Sequence, residues 1–127
     1  MAFAEPQFEL SEDDLDERTH VIAIAGEIHV STAPRFSVLL DDAIGRGKTA
    51  VVLDLSAVEF IDSTGLSVLL NGLRLVSHKH GRMALACANQ TVLRLFQITR
   101  LVDTFDIFPD RAAAVAHIAG DSSGGAP

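Results

Sequence analysis

The chain has no tryptophan, no tyrosine and one cysteine in its 127 residues. A lone cysteine, Cys87, excludes an intrachain disulfide. It sits in the apolar run MALACA, which reads as a buried thiol rather than a nucleophile. An excess of basic residues is missing too: 10 Lys and Arg face 17 Asp and Glu, for a net charge of −7. Such a surface repels phosphates and argues against nucleic acid as a partner. No run approaches the roughly 20 apolar residues that span a bilayer, so no membrane association is expected. The N-terminus, MAFAEPQFEL, lacks the basic region of a secretory signal, and a cytoplasmic protein is the expectation. There is no G-x-S-x-G elbow and no phosphate-cradling glycine loop. We therefore expect neither a catalytic group nor a cofactor. His78 and His80 flank Lys79 at i, i+2, which points them apart on a helix, so no metal site is expected there.

What the chain does have is 48% hydrophobic content, supplied by Ala, Val, Leu, Ile and seven Phe. That suits helices packed on a sheet, and the length suits one domain. We place this domain at residues 8–120, after an extension at 1–7. The Gly/Ser-rich stretch from residue 121 to 127 is expected to be a disordered tail.

Short apolar runs alternate with helical patterns. Phe8–Leu10 reads as a short edge strand and the acidic Ser11–Arg18 as a solvated loop. Val21–Ala25 is a strand that Gly26 ends. Ser31-Thr32-Ala33-Pro34 opens a helix with Phe36, Leu39, Leu40 and Ala43 at helical spacing, stopped by Gly45 and Gly47. Ala50–Leu55 is the clearest strand; its consecutive Val51, Val52 and Leu53 predict burial on both faces. A second helix runs to about His80, closed by Gly81. Met83–Ala88 is a strand, Asn89 caps a third helix, and Thr104–Phe108 is the last strand. Pro109 and Asp110 open a final helix through Ile118. Phe36, Phe60, Phe96, Phe105 and Phe108 read as core. The alternation implies an α/β layer structure with some parallel pairing.

The unusual feature is FIDSTGL, residues 60–66, where Asp, Ser, Thr and Gly meet between two apolar segments. Ser63, Ser67, Asn71, Arg74 and His78 form one polar stripe of the second helix. Leu66, Leu69, Leu70, Leu73 and Val76 form the opposite, packing stripe. Ser63 therefore lies at the helix start on the solvent side. Asp62 and Ser63 are both good N-caps, and either can fill that role alone. Gly65 is costly in a first helical turn and is read as allowing another surface to come close.

VVLDLSAVEFIDSTGLSVLL resembles the central motif of the STAS domain, in particular that of bacterial anti-sigma factor antagonists: an apolar strand, an Asp-Ser-Ser/Thr-Gly-Leu turn and a Leu-rich helix. GEIHVSTAP and NQTVLRLFQITRLVDTFDIF resemble flanking family segments, so the likeness runs from about residue 8 to 119. It implies a single STAS domain, a small mixed β-sheet of four to five strands with about four helices packed mainly on one side. It also implies binding to an anti-sigma factor that is a serine kinase, release of a sigma factor, and phosphorylation of Ser63, reversed by a serine phosphatase. Thr64 is the lesser phosphorylation candidate. The implied partner-binding set is Asp62, Ser63, Thr64, Gly65, Ser67, Asn71 and His29, on a chain that is a monomer or weak dimer alone. His29 departs from the pattern, because the family usually carries an acid at that place. The alternatives are a STAS module acting as a scaffold or lipid-transport subunit, and a small nucleotide- or lipid-binding domain.

Overall fold

A computed structural model describes residues 8–124, with side-chain surroundings through residue 118. The proposed extension at residues 1–7 lies outside the described residues. The elements run β1 (Phe8–Asp14), β2 (Thr19–Ile28), α1 (Ala33–Gly45), β3 (Ala50–Ile61), α2 (Ser63–His78), β4 (Arg82–Ala86), α3 (Gln90–Ile98), a 3₁₀ turn (Leu101–Asp103), β5 (Asp106–Phe108) and α4 (Arg111–Gly124). They build one five-stranded sheet in the order β1-β2-β3-β4-β5. β1 is antiparallel to β2 and every other pairing is parallel. This is the mixed sheet expected.

Two apolar layers hold it. Phe36 and Leu40 of α1, Leu66, Leu69 and Val76 of α2, and Val92 and Phe96 of α3 pack with Ile22, Ile24, Val51, Leu53 and Leu85 of the sheet. Ala114 and Ile118 of α4 pack on the reverse face against Val21, Val52, Ala84 and Ala86. Three helices thus share one face and α4 takes the other. Val51, Val52 and Leu53 are all fully buried, as their unbroken apolar run predicts.

Several element boundaries differ from those read in the sequence. The acidic segment is not all loop, since β1 continues to Asp14. Glu12 and Asp14 share one strand face and flank His20, which is only 2% exposed. His20 Nε2 lies 2.7 Å from Glu12, and its Nδ1 meets Asp14. Buried Lys48 adds a contact to Asp14 at 3.3 Å and donates to the Asp16 carbonyl at 2.9 Å. Hydrogen bonding with His20, then with Lys48, holds the Asp14 carboxyl below its ordinary range. The carboxylates thereby gain partners and the strand gains length.

Gly26 does not end β2. It adopts φ 101° inside the strand, between register shifts at Ala23/Ala25 and Gly26/Glu27. These bulges bend the strand without stopping it. Gly81 does not terminate α2 by its own conformation either. His80, at φ 60°, is the left-handed residue: its N–H donates to the Ser77 carbonyl, and that of Gly81 to Val76. This is a Schellman end with histidine where glycine is favoured. Gly81 is small because an added Cβ would lie 2.4 Å from the Thr49 carbonyl oxygen. The last strand is shorter than Thr104–Phe108, because Phe105 N–H bonds back to the Leu101 carbonyl in a turn. Four residues of the expected tail, 121–124, are helical as the end of α4, and residues 125–127 lie outside the described residues.

Candidate functional site

β3 outruns its inner neighbour. Its pairing with β4 ends at Asp54, whereas pairing with β2 continues through Ala57, Val58 and Phe60 to Ile61. The result is a two-stranded, bulged arm, Ala25–Ile28 beside Ala57–Ile61, that carries the chain to the start of α2. Asp62 N–H donates to the Ile28 carbonyl at 3.1 Å and closes the arm. Because the strands are parallel, the residues after Ile28 and Ile61 emerge side by side. His29 and Asp62-Ser63 therefore share one edge, at the carboxyl ends of the strands, where open parallel sheets place binding sites.

The structure decides which residue caps α2. Asp62 has extended backbone, and its Oδ1 accepts from Thr64 N–H at 2.9 Å and Gly65 N–H at 3.1 Å. Ser63 is the first helical residue, is exposed, and its hydroxyl makes no hydrogen bond among the described residues. Its carbonyl accepts from the Ser67 hydroxyl at 2.9 Å. The two functions that the sequence left open thus separate: the carboxylate caps, and the hydroxyl stays free. Thr64 is partly buried, whereas Ser67, Asn71, Arg74 and His78 continue the exposed stripe as expected.

Gly65 is a correction. It is buried, and an added Cβ would sit 2.6 Å from Ile61 Cγ1 and 2.7 Å from Ile28 Cγ2. The close approach it permits is internal, between α2 and the arm, so it offers no surface to a partner. Gly72, further along α2, serves the same purpose against Leu40 and Met83.

His29 is partly exposed and is held by its turn. Its N–H donates to the Thr32 hydroxyl at 3.0 Å, and that hydroxyl donates to the Glu27 carbonyl at 2.7 Å. Its Nδ1 accepts from Ser31 N–H at 3.2 Å, which leaves Nε2 directed toward Glu27, 3.7 Å away. Phe60 is a further correction, being 44% exposed rather than core; Phe36, Phe96 and Phe105 are buried as predicted. Phe108 is only partly buried, packed against the α4 layer. Sequence reasoning missed the arm because its bulges interrupt the period-two pattern. Cys87 is buried, and burial pushes its thiol up, away from nucleophilic use.

A mixed five-stranded sheet with three helices on one face, one on the other and an exposed serine at the start of α2 defines a small α/β domain. The STAS domain model matches residues 12–114, and the chain belongs to that family. The anti-sigma-B factor antagonist of Listeria monocytogenes is 34% identical over 102 residues, 78% of this chain and 85% of that protein. The crystal structure of an anti-sigma factor antagonist from Mycobacterium paratuberculosis superposes with TM-score 0.83 at 27% identity, covering 91% of this chain and 97% of that one. The Bacillus cell fate determinant SpoIIAA in its phosphorylated form shares the fold at TM-score 0.69 and 22% identity, over 88% of this chain and 99% of that one. Among the described residues, no helix is long and apolar enough to cross a membrane.

Proposed function

We propose that the chain is an anti-sigma factor antagonist: it binds an anti-sigma factor that is also a serine kinase, frees a sigma factor, and is switched off when Ser63 is phosphorylated. The relatives named as such antagonists support the first half. The observation that carries the second is the exposed Ser63 hydroxyl, unbonded because Asp62 has taken the capping role. A phosphate adds about −1.5 to −2 charge. The helix N-terminus tolerates it, so the fold survives. A partner docked over Ser63 instead meets a bulky anion beside Asp62. The switch is local blocking. In this reading the chain is a substrate and not an enzyme, acts in the cytoplasm as a monomer or weak dimer, and is reset by a serine phosphatase. Asp62, Ser67, Asn71 and His29 line the contact face around Ser63, and Thr64 is the lesser acceptor.

The test is incubation of wild type, Ser63→Ala and Thr64→Ala with ATP and the anti-sigma kinase encoded in the same genome, followed by mass-spectrometric mapping. Label at Ser63 in wild type and Thr64→Ala, none in Ser63→Ala, and weakened binding by Ser63→Asp are expected. Undiminished labelling of Ser63→Ala at Thr64 moves the acceptor by one residue. An unlabelled wild type, with Ser63→Asp binding as well as wild type, overturns the switch and favours a scaffold or transport role.

A further inference from the structure

The arm has an outer face that the fold does not use. Phe60 stands opposite Glu27 across the β2–β3 pairing and is 44% exposed, though phenylalanine is ordinarily a core residue. Val30, two residues beyond the end of β2, is 69% exposed. Both emerge at the strand ends that carry His29 and Ser63. Glu59 is exposed and has no cationic partner among the described residues; Glu27 has only the 3.7 Å approach of His29. The bulges at Ala23/Ala25 and Gly26/Glu27, with Gly26 in a left-handed conformation, set the direction of this face. Bulges of this kind re-aim side chains beside functional sites.

We infer that Phe60 and Val30 are apolar anchors of the partner interface, rimmed by Glu27 and Glu59, and that the surface they fit is an apolar patch of a protein edged by lysine or arginine. This deepens the function proposed above and rests on it. Two arguments select that occupant. Phe60 lies three residues before Ser63 and Val30 directly follows His29, so both belong to the end of the sheet that carries the serine, within reach of one partner seated there. The rim carboxylates, on a chain of net charge −7, complement a basic edge and repel a second copy of this chain, an anionic lipid surface or a nucleic acid. An apolar centre inside a charged rim is the usual anatomy of a protein interface.

The experiment measures binding of the same-genome anti-sigma kinase to the full chain by calorimetry at two salt concentrations. Variants are Phe60→Ser, Phe60→Thr, Val30→Ser, Glu27→Lys, Glu59→Lys, Ser63→Asp and, as an exposed apolar control outside the arm, Ile98→Ser, whose parent is 72% exposed against 69% for Val30. Loss of about tenfold or more in affinity is expected for Phe60→Ser and Val30→Ser, as for truncated interface anchors. Glu27→Lys and Glu59→Lys should weaken binding and flatten its salt dependence. Ile98→Ser should stay within about twofold. Should Phe60→Ser fold poorly, Phe60→Thr, Val30→Ser and the charge reversals still decide. Anchor variants that bind as wild type while Ser63→Asp binds weakly overturn this inference and leave the proposed function standing. Neither set mattering, or no binding by wild type, overturns both. A wild-type dimer in sedimentation that Phe60→Ser dissociates, with kinase binding unchanged, makes the face a self-contact and overturns the inference.

Discussion

Removing the Asp62 carboxylate separates capping from switching. Its Oδ1 alone serves two helix N–H groups, of Thr64 and Gly65, at 2.9 and 3.1 Å. Asp62→Ala leaves both donors without an intraprotein acceptor at the first turn of α2. Loss of a cap costs about 0.5–2 kcal/mol. An ionised acceptor in a partly buried setting places the cost in the upper half of that range, about 1–2 kcal/mol. For a chain of this size each kcal/mol moves the melting temperature by roughly 3–6 °C. Asp62→Asn keeps an oxygen in place and should lose well under half as much. Ser63→Ala removes a hydroxyl that bonds nothing within the described chain, and surface changes of that kind stay within about ±0.5 kcal/mol. The assay is urea unfolding followed by far-ultraviolet circular dichroism, because a chain without Trp or Tyr offers no useful fluorescence. If Ser63→Ala proves as destabilising as Asp62→Ala, the serine is structural and the separation of roles is wrong.

Gly65→Ala should destabilise by about 1–3 kcal/mol in the same assay, because its Cβ meets the β-branched Ile61 and Ile28, which cannot swing away cheaply. An unchanged midpoint would refute the internal-packing account. His80→Gly should raise stability by up to about 1 kcal/mol, relieving a left-handed residue at the end of α2; a loss would show that the imidazole does something further. In acid, burial pushes the Asp54 carboxyl up, but hydrogen bonds from Ser56 and Arg111 outweigh it and the net shift is downward. A carboxyl depressed in the folded state contributes stability that is present above its unfolded value, near 3.8, and is lost as pH falls through the lower folded value. Asp54→Asn should therefore reduce the stability lost below about pH 4. An acid limb identical to wild type would remove the Asp54–Arg111 pair from the account.

The seam at FIDSTGL was legible because its chemistry is local. A carboxylate followed by two helix N–H groups makes a cap wherever it occurs, and the spacing of Ser63, Ser67 and Asn71 puts them on one stripe whatever lies beneath. The same holds for buried Val51–Leu53, for the α1 start at Ser31–Pro34, and for Asn89, which caps α3 by accepting from Thr91 and Val92.

Sequence alone thus determined the alternation of elements, the polar face of α2, and that Asp62 or Ser63 would cap it. Only the tertiary structure decided between the two, because the choice depends on where the arm delivers the chain: Asp62 N–H is tied to the Ile28 carbonyl, which leaves its side chain over the helix end. Tertiary contacts also turned Gly65 inward, gave Glu12 and Asp14 a buried histidine to hold, and left Phe60 exposed on an arm whose length no local pattern encodes. The reason is common to all four. Propensity and periodicity describe a segment against water, whereas each of these outcomes is set by how the paired strands and α2 come together in the assembled sheet.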